Sequence, residues 1–237
     1  MPAENGEDMK RITYVACCLT MVLATSLSVN AQISTDPVEA AIKASYTAEA
    51  TADYQAAIKA LTSVGASANS SYIAQLRLGW LNYCAKEYQQ SANYYKKAVQ
   101  LAPLAIEPLL GQMLAQQLSE NTDEAMRTGN AILRRDPNNY TATSRLAWMY
   151  YVKRDYKQSA ILYRKLVGLY PTDTEMLLGL GFALKYAGEK KDADKQFNTV
   201  LLLSPDNARA LEGLTEVPVV PRPGGGPGNG KRHGANR

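Results

Sequence analysis

The stretches "LGWLNY" at 78–83 and "LAWMYY" at 146–151 contain the two tryptophans of this 237-residue chain. Trp80 and Trp148 have almost the same neighbours, and their positions are separated by twice a period of 34. Because tryptophan is rare and bulky, its recurrence in one local setting predicts a repeated unit of about 34 residues.

A period of 34 holds without insertion when the first unit starts at Val38. The units are then 38–71, 72–105, 106–139, 140–173 and 174–207. Within them, apolar residues recur three and four apart, which indicates helices. Position 20 is small in every unit, which allows two helices to approach closely, and position 32 is proline in four units, which ends the second helix. Each unit is therefore predicted to be a pair of helices with a break near position 15, stacked into a solenoid.

These columns resemble the tetratricopeptide repeat, with Leu-Gly or Leu-Ala at positions 7 and 8, an aromatic residue at 24 and proline at 32. The resemblance covers 38–207 and is strongest in the second, fourth and fifth units. In the third unit Gln112, Met113 and Gly129 stand at signature positions, which leaves open a first helix one residue out of register. The resemblance implies an all-α solenoid of about five helix-turn-helix repeats, with a C-terminal capping helix at 208–217.

Residues 1–31 are predicted to be a secretion signal, with the true start at Met9. A short basic segment at 9–11 precedes an apolar, uncharged stretch at 12–29, and compact residues at 29–31 provide a cleavage site after Ala31. The expected destination is the periplasm, with secretion or anchoring by an uncleaved signal as alternatives.

The residues that carry most enzymatic chemistry are scarce in this chain. His233 is the only histidine, and Cys84 is the only cysteine outside the predicted signal. A Ser–His or Cys–His pair and a thiolate metal site within one chain are therefore excluded from the predicted repeats. "RPGGGPG" at 222–228 lies among prolines without a following helix, so it is not a phosphate loop. The protein is predicted to be no enzyme and to need no cofactor or metal.

The charge distribution bears on possible partners. The formal net charge is +4, but 218–237 holds four Lys or Arg residues and no acid, so the rest of the mature chain is near neutral. A neutral body argues against nucleic-acid binding. The Pro- and Gly-rich segment 218–237 is predicted to be a disordered basic tail, either a solubilising end or a tether to anionic lipid or cell-wall polymer.

Position 9 of each unit carries a large apolar residue. At about 100° per residue this position faces away from positions 4, 7, 8 and 11, which pack inside the unit. In the resembled family that face lines a concave, peptide-binding groove. Positions 12 and 13 add tyrosines, and position 6 adds arginines at the expected edge of the groove. The candidate partner-binding residues are Tyr46, Arg77, Trp80, Tyr83, Leu114, Arg145, Trp148, Tyr151, Phe182 and Tyr186.

Two interpretations of the position-9 residues stay open, namely exposed groove contacts and buried packing between adjacent first helices. The family's carboxylate clamp is not reproduced, because position 9 lacks its Asn. The predicted function is a protein-interaction scaffold or assembly factor of the bacterial cell envelope that binds a peptide or helix in the groove. The alternatives are a self-associating structural subunit and a carbohydrate-binding accessory protein.

Overall fold

The computed structural model describes residues 36–215, which form helices and contain no strand. The helices are α1 (Pro37–Glu49), α2 (Tyr54–Thr62), α3 (Ala66–Asn69), α4 (Tyr72–Cys84), α5 (Tyr88–Leu101), α6 (Glu107–Leu118), α7 (Thr122–Arg135), α8 (Tyr140–Val152), α9 (Tyr156–Leu169), α10 (Thr174–Ala187), α11 (Lys190–Leu203) and α12 (Ala208–Leu214). None of these helices combines the length and the apolar character needed to cross a membrane. The predicted signal at 1–31, the tail at 218–237 and the end of the predicted cap lie outside the described residues.

The chain divides into two compact units, and the division falls inside α4 between Ala74 and Gln75. In the first unit α1 packs against α2 and α3. The second helix of the first repeat is interrupted, because α2 ends at Thr62 and Gly65, with φ of 52°, precedes α3. Hydroxyl groups near this end, such as that of Thr62, donate to carbonyls of the preceding turn and so compete with a continued helix.

In the second unit each helix from α5 to α12 packs against the next one in the chain. Further contacts join α8 to α10 and α10 to α12. This order of contacts is that of stacked helix pairs, and the predicted all-α solenoid is confirmed. The core of its C-terminal part includes Leu166, Leu180, Leu184, Phe197 and Val200, and their side chains are almost fully buried.

Small residues bring the two helices of a repeat together, as the sequence predicts. The Ser91 hydroxyl donates to the Gly79 carbonyl at 2.7 Å, and Ser159 donates to the Ala147 carbonyl at 2.9 Å. Both bonds are buried and join position 20 to position 8 of the same repeat. A serine at position 20 thus satisfies a buried carbonyl as well as leaving room for the facing helix.

The third repeat reverses the sizes of two packing residues. Other repeats pair a small residue at position 8 with a large one at position 24, whereas this repeat has Met113 and Gly129 there. Met113 is fully buried, and a Cβ atom on Gly129 would lie 2.7 Å from its Cε. The first helix keeps its register, since Leu109 and Ala115 are buried at the positions buried elsewhere. The register shift left open by the sequence is absent.

Each of the five repeats turns at position 15 through a left-handed residue. These residues are Ala52, Lys86, Glu120, Arg154 and Gly188, with φ between 58° and 89°. The next amide then bonds to the carbonyl five residues back, as Glu87 N–H does to the Asn82 oxygen at 2.8 Å. This is the Schellman ending of a helix, and it locates the break that the sequence predicts.

We expect Lys86→Gly to raise the free energy of unfolding by up to about 1 kcal/mol and Gly188→Ala to lower it by about as much. The reason is that a Cβ atom disfavours the left-handed conformation. Urea denaturation followed by circular dichroism measures both changes. Lys96→Gly, at an exposed position in the middle of α5, is the control and should cost about 1 kcal/mol. If Lys86→Gly costs as much as Lys96→Gly, the backbone at position 15 is not strained.

Candidate functional site

The two tryptophans lie half-exposed on first helices of the second unit. Trp80 is 45% exposed and Trp148 is 49% exposed. Each ring stacks on a tyrosine one turn later, Trp80 on Tyr83 and Trp148 on Tyr151, with 5.6 Å between ring centroids in both pairs. This spacing follows from the helix, which places residues i and i+3 side by side. The two sequence motifs thus form two similar, stacked aromatic pairs.

A larger group of rings surrounds the second pair. Tyr156, the first residue of α9, stacks on Tyr186 at 5.2 Å and meets Tyr151 at 5.4 Å. Tyr151 also meets Tyr186 edge-on at 5.9 Å. Tyr156 is absent from the residues proposed from the sequence. The sequence pattern that could have identified Tyr156 is the tyrosine at position 17 in three of the five repeats.

The remaining candidates at position 9 have different environments. Tyr46, in the first unit, is 58% exposed. Leu114 and Phe182 are partly buried, and the Phe182 ring meets Phe197 of α11 at 5.0 Å. We use the term aromatic surface for seven exposed or partly exposed rings of the second unit, namely the predicted aromatic residues of its first helices together with Tyr156. These are Trp80, Tyr83, Trp148, Tyr151, Tyr156, Phe182 and Tyr186.

The arginines at position 6 are buried or partly buried, whereas the sequence predicts them at the exposed edge of the groove. Arg77 is buried, with 7% of its surface exposed. Arg145 is partly buried and donates from Nη1 to the Gln117 side chain at 3.2 Å, and burial lowers its pKa. Repeats with glycine here show the reason, because a Cβ atom on Gly179 would lie 2.5 Å from the Tyr163 ring. In the third and fifth repeats position 6 therefore faces the second helix of the preceding repeat, since a Cβ atom on Gly111 would likewise lie 2.5 Å from the Tyr95 ring.

A cavity of about 390 Å³ lies between α8, α10 and α12, and we call it the C-terminal pocket. Four of the predicted residues line it, together with three charged groups. The lining residues are Trp148, Tyr151, Tyr163, Glu175, Met176, Gly179, Phe182, Tyr186, Arg209 and Glu212. Arg209 forms an ion pair with Glu175, with 2.7 Å between Nη1 and Oε2. The pocket thus combines apolar walls with a small number of polar groups, as ligand sites commonly do.

Helix α12 is held to the pocket by Lys185 of α10. The Lys185 ammonium donates to the backbone carbonyls of Gly213 and Thr215, both at 2.8 Å. These carbonyls are among those that a helix end leaves without intrahelical partners, and a cation there also complements the helix dipole. The arrangement fixes the two α12 residues that line the pocket.

Because this region contains buried tyrosines, its stability decreases as the pH becomes alkaline. Burial raises the pKa of Tyr163 from 10.0 to about 12, although Arg209 opposes the shift. Burial also raises the pKa of Tyr151 to about 12, and the neighbouring Tyr186 and Tyr156 add to it. The folded state therefore favours the protonated phenols. Their stabilising contribution is complete below the unfolded pKa and is lost as the pH rises from there through the folded pKa.

We expect the urea midpoint of the protein to fall between about pH 9 and about pH 11, and Tyr163→Phe to make this fall smaller. The variant has no phenol to ionise at that position but keeps the buried ring. Denaturation curves of both proteins at the two pH values give the comparison. An equal fall in both proteins would show that the Tyr163 phenol is not the group concerned.

In the part of the chain that the structure describes, no three His, Cys, Asp or Glu side chains form a cluster able to hold a metal ion. The polar groups of the C-terminal pocket are an ion pair, a further carboxylate and phenols.

Comparison with known proteins finds a family that matches part of the chain. Residues 110–174 match the family model of the tetratricopeptide repeat. A curated sequence of Haemophilus influenzae named for cytochrome c-type biogenesis, CcmH, is 27% identical over 105 residues. That alignment covers 43% of this chain and 23% of the relative, so the chain spans about a quarter of the length of that protein.

Solved structures show the same fold. MamA superposes with a TM-score of 0.66 at 18% identity, covering 77% of this chain and 98% of MamA. YrrB, described as a TPR protein with an unusual peptide-binding site, has a TM-score of 0.63 at 11% identity and covers 76% of this chain and 93% of its own. At these identities the likeness concerns the fold alone.

Proposed function

We propose that this chain, which is a tetratricopeptide-repeat protein, serves as a protein-interaction scaffold or assembly factor in the bacterial cell envelope. Proteins of this repeat class bind other proteins or peptides. Here the bound partner is a peptide or helix of another protein, and it lies on the aromatic surface. We propose no catalytic step.

The observation that carries the proposal is the pair of half-exposed tryptophans, each stacked on a tyrosine. Tryptophan and tyrosine are frequent interface hot spots, because a large ring buries much area at little cost in conformational entropy. Stacking already restricts these rings in the unbound protein, so less freedom is lost on binding. Exposed aromatic surface of this kind commonly marks an interaction site.

Two comparisons support the remaining parts of the proposal. YrrB provides a protein of the same fold that is described with a peptide-binding site. The CcmH relative is named for a biogenesis process, which supports a role in assembly. The predicted signal at 1–31 supports export, with the periplasm as the proposed location.

The test uses the full chain as bait in an envelope extract, with a Trp80→Ala, Trp148→Ala variant beside it. We expect the variant to lose capture of a specific protein by at least about tenfold, since a hot-spot ring contributes about 2 kcal/mol or more. Its free energy of unfolding should change by less than about 1 kcal/mol for each half-exposed ring. Mass spectrometry identifies the captured protein, and circular dichroism checks the fold.

The matched control is Ile161→Ala with Leu202→Ala, which also removes two exposed apolar side chains but on second helices. It should capture as the wild type does. Unchanged capture by the tryptophan variant, with a large loss of stability, would make the rings packing residues and refute the proposal. Two alternative ligands have their own tests. Binding of a second copy of this chain would make sedimentation depend on protein concentration. Binding of a cell-wall glycan would be detected by titration calorimetry.

A further inference from the structure

The residues that line the C-terminal pocket carry one more negative than positive charge, and the nearby Lys185 ammonium is bound to backbone carbonyls of α12. Glu175 and Glu212 contribute carboxylates, and Arg209 contributes one guanidinium, which is paired with Glu175 at 2.7 Å. The pairing leaves the Glu212 carboxylate as the excess charge of the lining. A cationic ligand is therefore favoured over an anionic one at this end of the aromatic surface.

The walls of the pocket favour the same class of ligand. Trp148, Tyr151 and Tyr186 present aromatic rings, and the faces of such rings attract a guanidinium or ammonium group. An arginine also has an apolar stem that can cover ring surface, and its planar head can stack on a ring. The cavity of about 390 Å³ has room for a side chain of this size with part of its backbone.

The chain leaves its last described helix beside this pocket. Thr215 is the last described residue, and its carbonyl accepts a hydrogen bond from the Lys185 ammonium at 2.8 Å. Lys185 directly precedes Tyr186, which lines the pocket, and Glu212 lines it from α12. Glu212 precedes Thr215 by three residues, so the segment that follows Thr215 starts within about 11 Å of a residue that lines the pocket.

The sequence of that segment complements the pocket. Residues 218–223 read "PVVPRP", so Arg222 stands between two prolines, and 216–237 contains four Lys or Arg residues and one acid, Glu216. Arg222 is the seventh residue after Thr215, and a chain of that length spans up to about 25 Å. Proline-rich segments dock in aromatic-lined grooves, since their restricted backbone loses little entropy on binding.

We propose that the C-terminal pocket binds residues 218–223 of the same chain, with the Arg222 guanidinium over the rings of Trp148, Tyr151 and Tyr186 and paired with Glu212. The inference rests on the proposed function, because it names an occupant for one end of the aromatic surface. The bound segment competes with any partner that needs this end. A partner must displace it or bind beside it, which makes the tail an internal regulator of access.

The test measures how far Trp148 is shielded from acrylamide, a neutral quencher. It uses the full chain with Trp80→Phe, so that one tryptophan reports. We expect Arg222→Glu to increase quenching of Trp148, whereas Lys231→Glu, with the same charge change in the same tail, leaves it unchanged. Glu212→Arg alone should also increase quenching, and the double variant Glu212→Arg with Arg222→Glu should restore the shielding. Circular dichroism confirms that each variant is folded.

A peptide of the sequence of 216–226 provides a second readout. A tethered segment has an effective concentration on the order of millimolar, so the wild type should need roughly tenfold more free peptide than Arg222→Glu to reach half saturation. Equal quenching in all variants, or an equal effect of Lys231→Glu, overturns the proposal. Shielding that weakens on dilution also overturns it and assigns the pocket to the tail of a second copy.

The outcome is separate from that of the proposed function. If Trp148 is not shielded by the tail while the tryptophan-to-alanine variant still loses its captured protein, the aromatic surface binds a partner without an internal competitor. If the tail is shown to shield Trp148 but no protein is captured, the pocket has its own ligand and the scaffold proposal fails.

Discussion

Phe197→Ala is expected to lower the free energy of unfolding by about 3–5 kcal/mol, the range for removing a large aromatic ring from a packed core. The ring is fully buried and meets Phe182 at 5.0 Å. It fills the space that two glycines leave, since Cβ atoms on Gly181 and Gly213 would lie 2.6 and 2.5 Å from its atoms. Backbone on both sides limits collapse, so the substitution leaves a cavity.

The loss of stability in Phe197→Ala should be concentrated at the C-terminal end of the solenoid. Stability in a stacked-repeat protein is close to a sum of terms for each repeat and its neighbours. Helix α12 contacts α10 and α11, and its Gly213 lies against Phe197, so its amides should lose most protection. Urea denaturation gives the total loss and hydrogen exchange gives its location.

Leu202→Ala is the control on the same helix, because Leu202 is 85% exposed. It should change the free energy of unfolding by no more than about 0.5 kcal/mol. A loss below about 1 kcal/mol for Phe197→Ala would mean that neighbouring helices close over the vacated space, and that this ring does not hold α12 in place.

Gly129→Tyr, which restores the residue type found at position 24 of the second and fourth repeats, should nevertheless destabilise the protein by about 3 kcal/mol or more. The reason is local, because Met113 already occupies the space. Its Cε would lie 2.7 Å from a Cβ atom on Gly129, and Leu146 Cγ would lie at 2.9 Å. A tyrosine ring can enter only if these two buried side chains move.

A double-mutant cycle isolates the coupling of the two reversed positions. Met113→Ala alone should cost about 2–5 kcal/mol through the cavity it leaves. In the Gly129→Tyr background the same change should cost at least about 1 kcal/mol less, since the ring then fills that cavity. Urea denaturation of the four proteins gives the coupling energy. Additive losses would show that Met113 and Gly129 do not compensate each other in volume.

The repeat architecture of this protein was predictable from local sequence. Every unit carries its own helix spacing, small residue at position 20 and break near position 15, so that a few residues specify each element. The left-handed residues at position 15 lie at the predicted break. The third repeat was the exception. Its atypical residues, Met113 and Gly129, compensate each other in size, but they lie on different helices.

The candidate site was predictable only in part. Helical periodicity places four aromatic residues on the corresponding face of two first helices, and these residues do line one pocket. They are Trp148 and Tyr151 on α8, and Phe182 and Tyr186 on α10. Tyr156 was missed because it belongs to a second helix and joins the rings through contacts between helices. Arg145 was placed at an open edge because helical periodicity gives a direction but does not show that Gln117 of the preceding repeat lies beside it.

The sequence by itself determined that this chain folds as stacked helix pairs with aromatic residues on the first helices, since both properties arise within a single repeat. Only the tertiary structure decided that half of each tryptophan stays exposed and that Arg77 is buried. It also decided that Glu175, Arg209 and Glu212 surround one cavity with the second tryptophan. Exposure and charge at a point depend on side chains from several helices, and one-dimensional periodicity does not contain their distances.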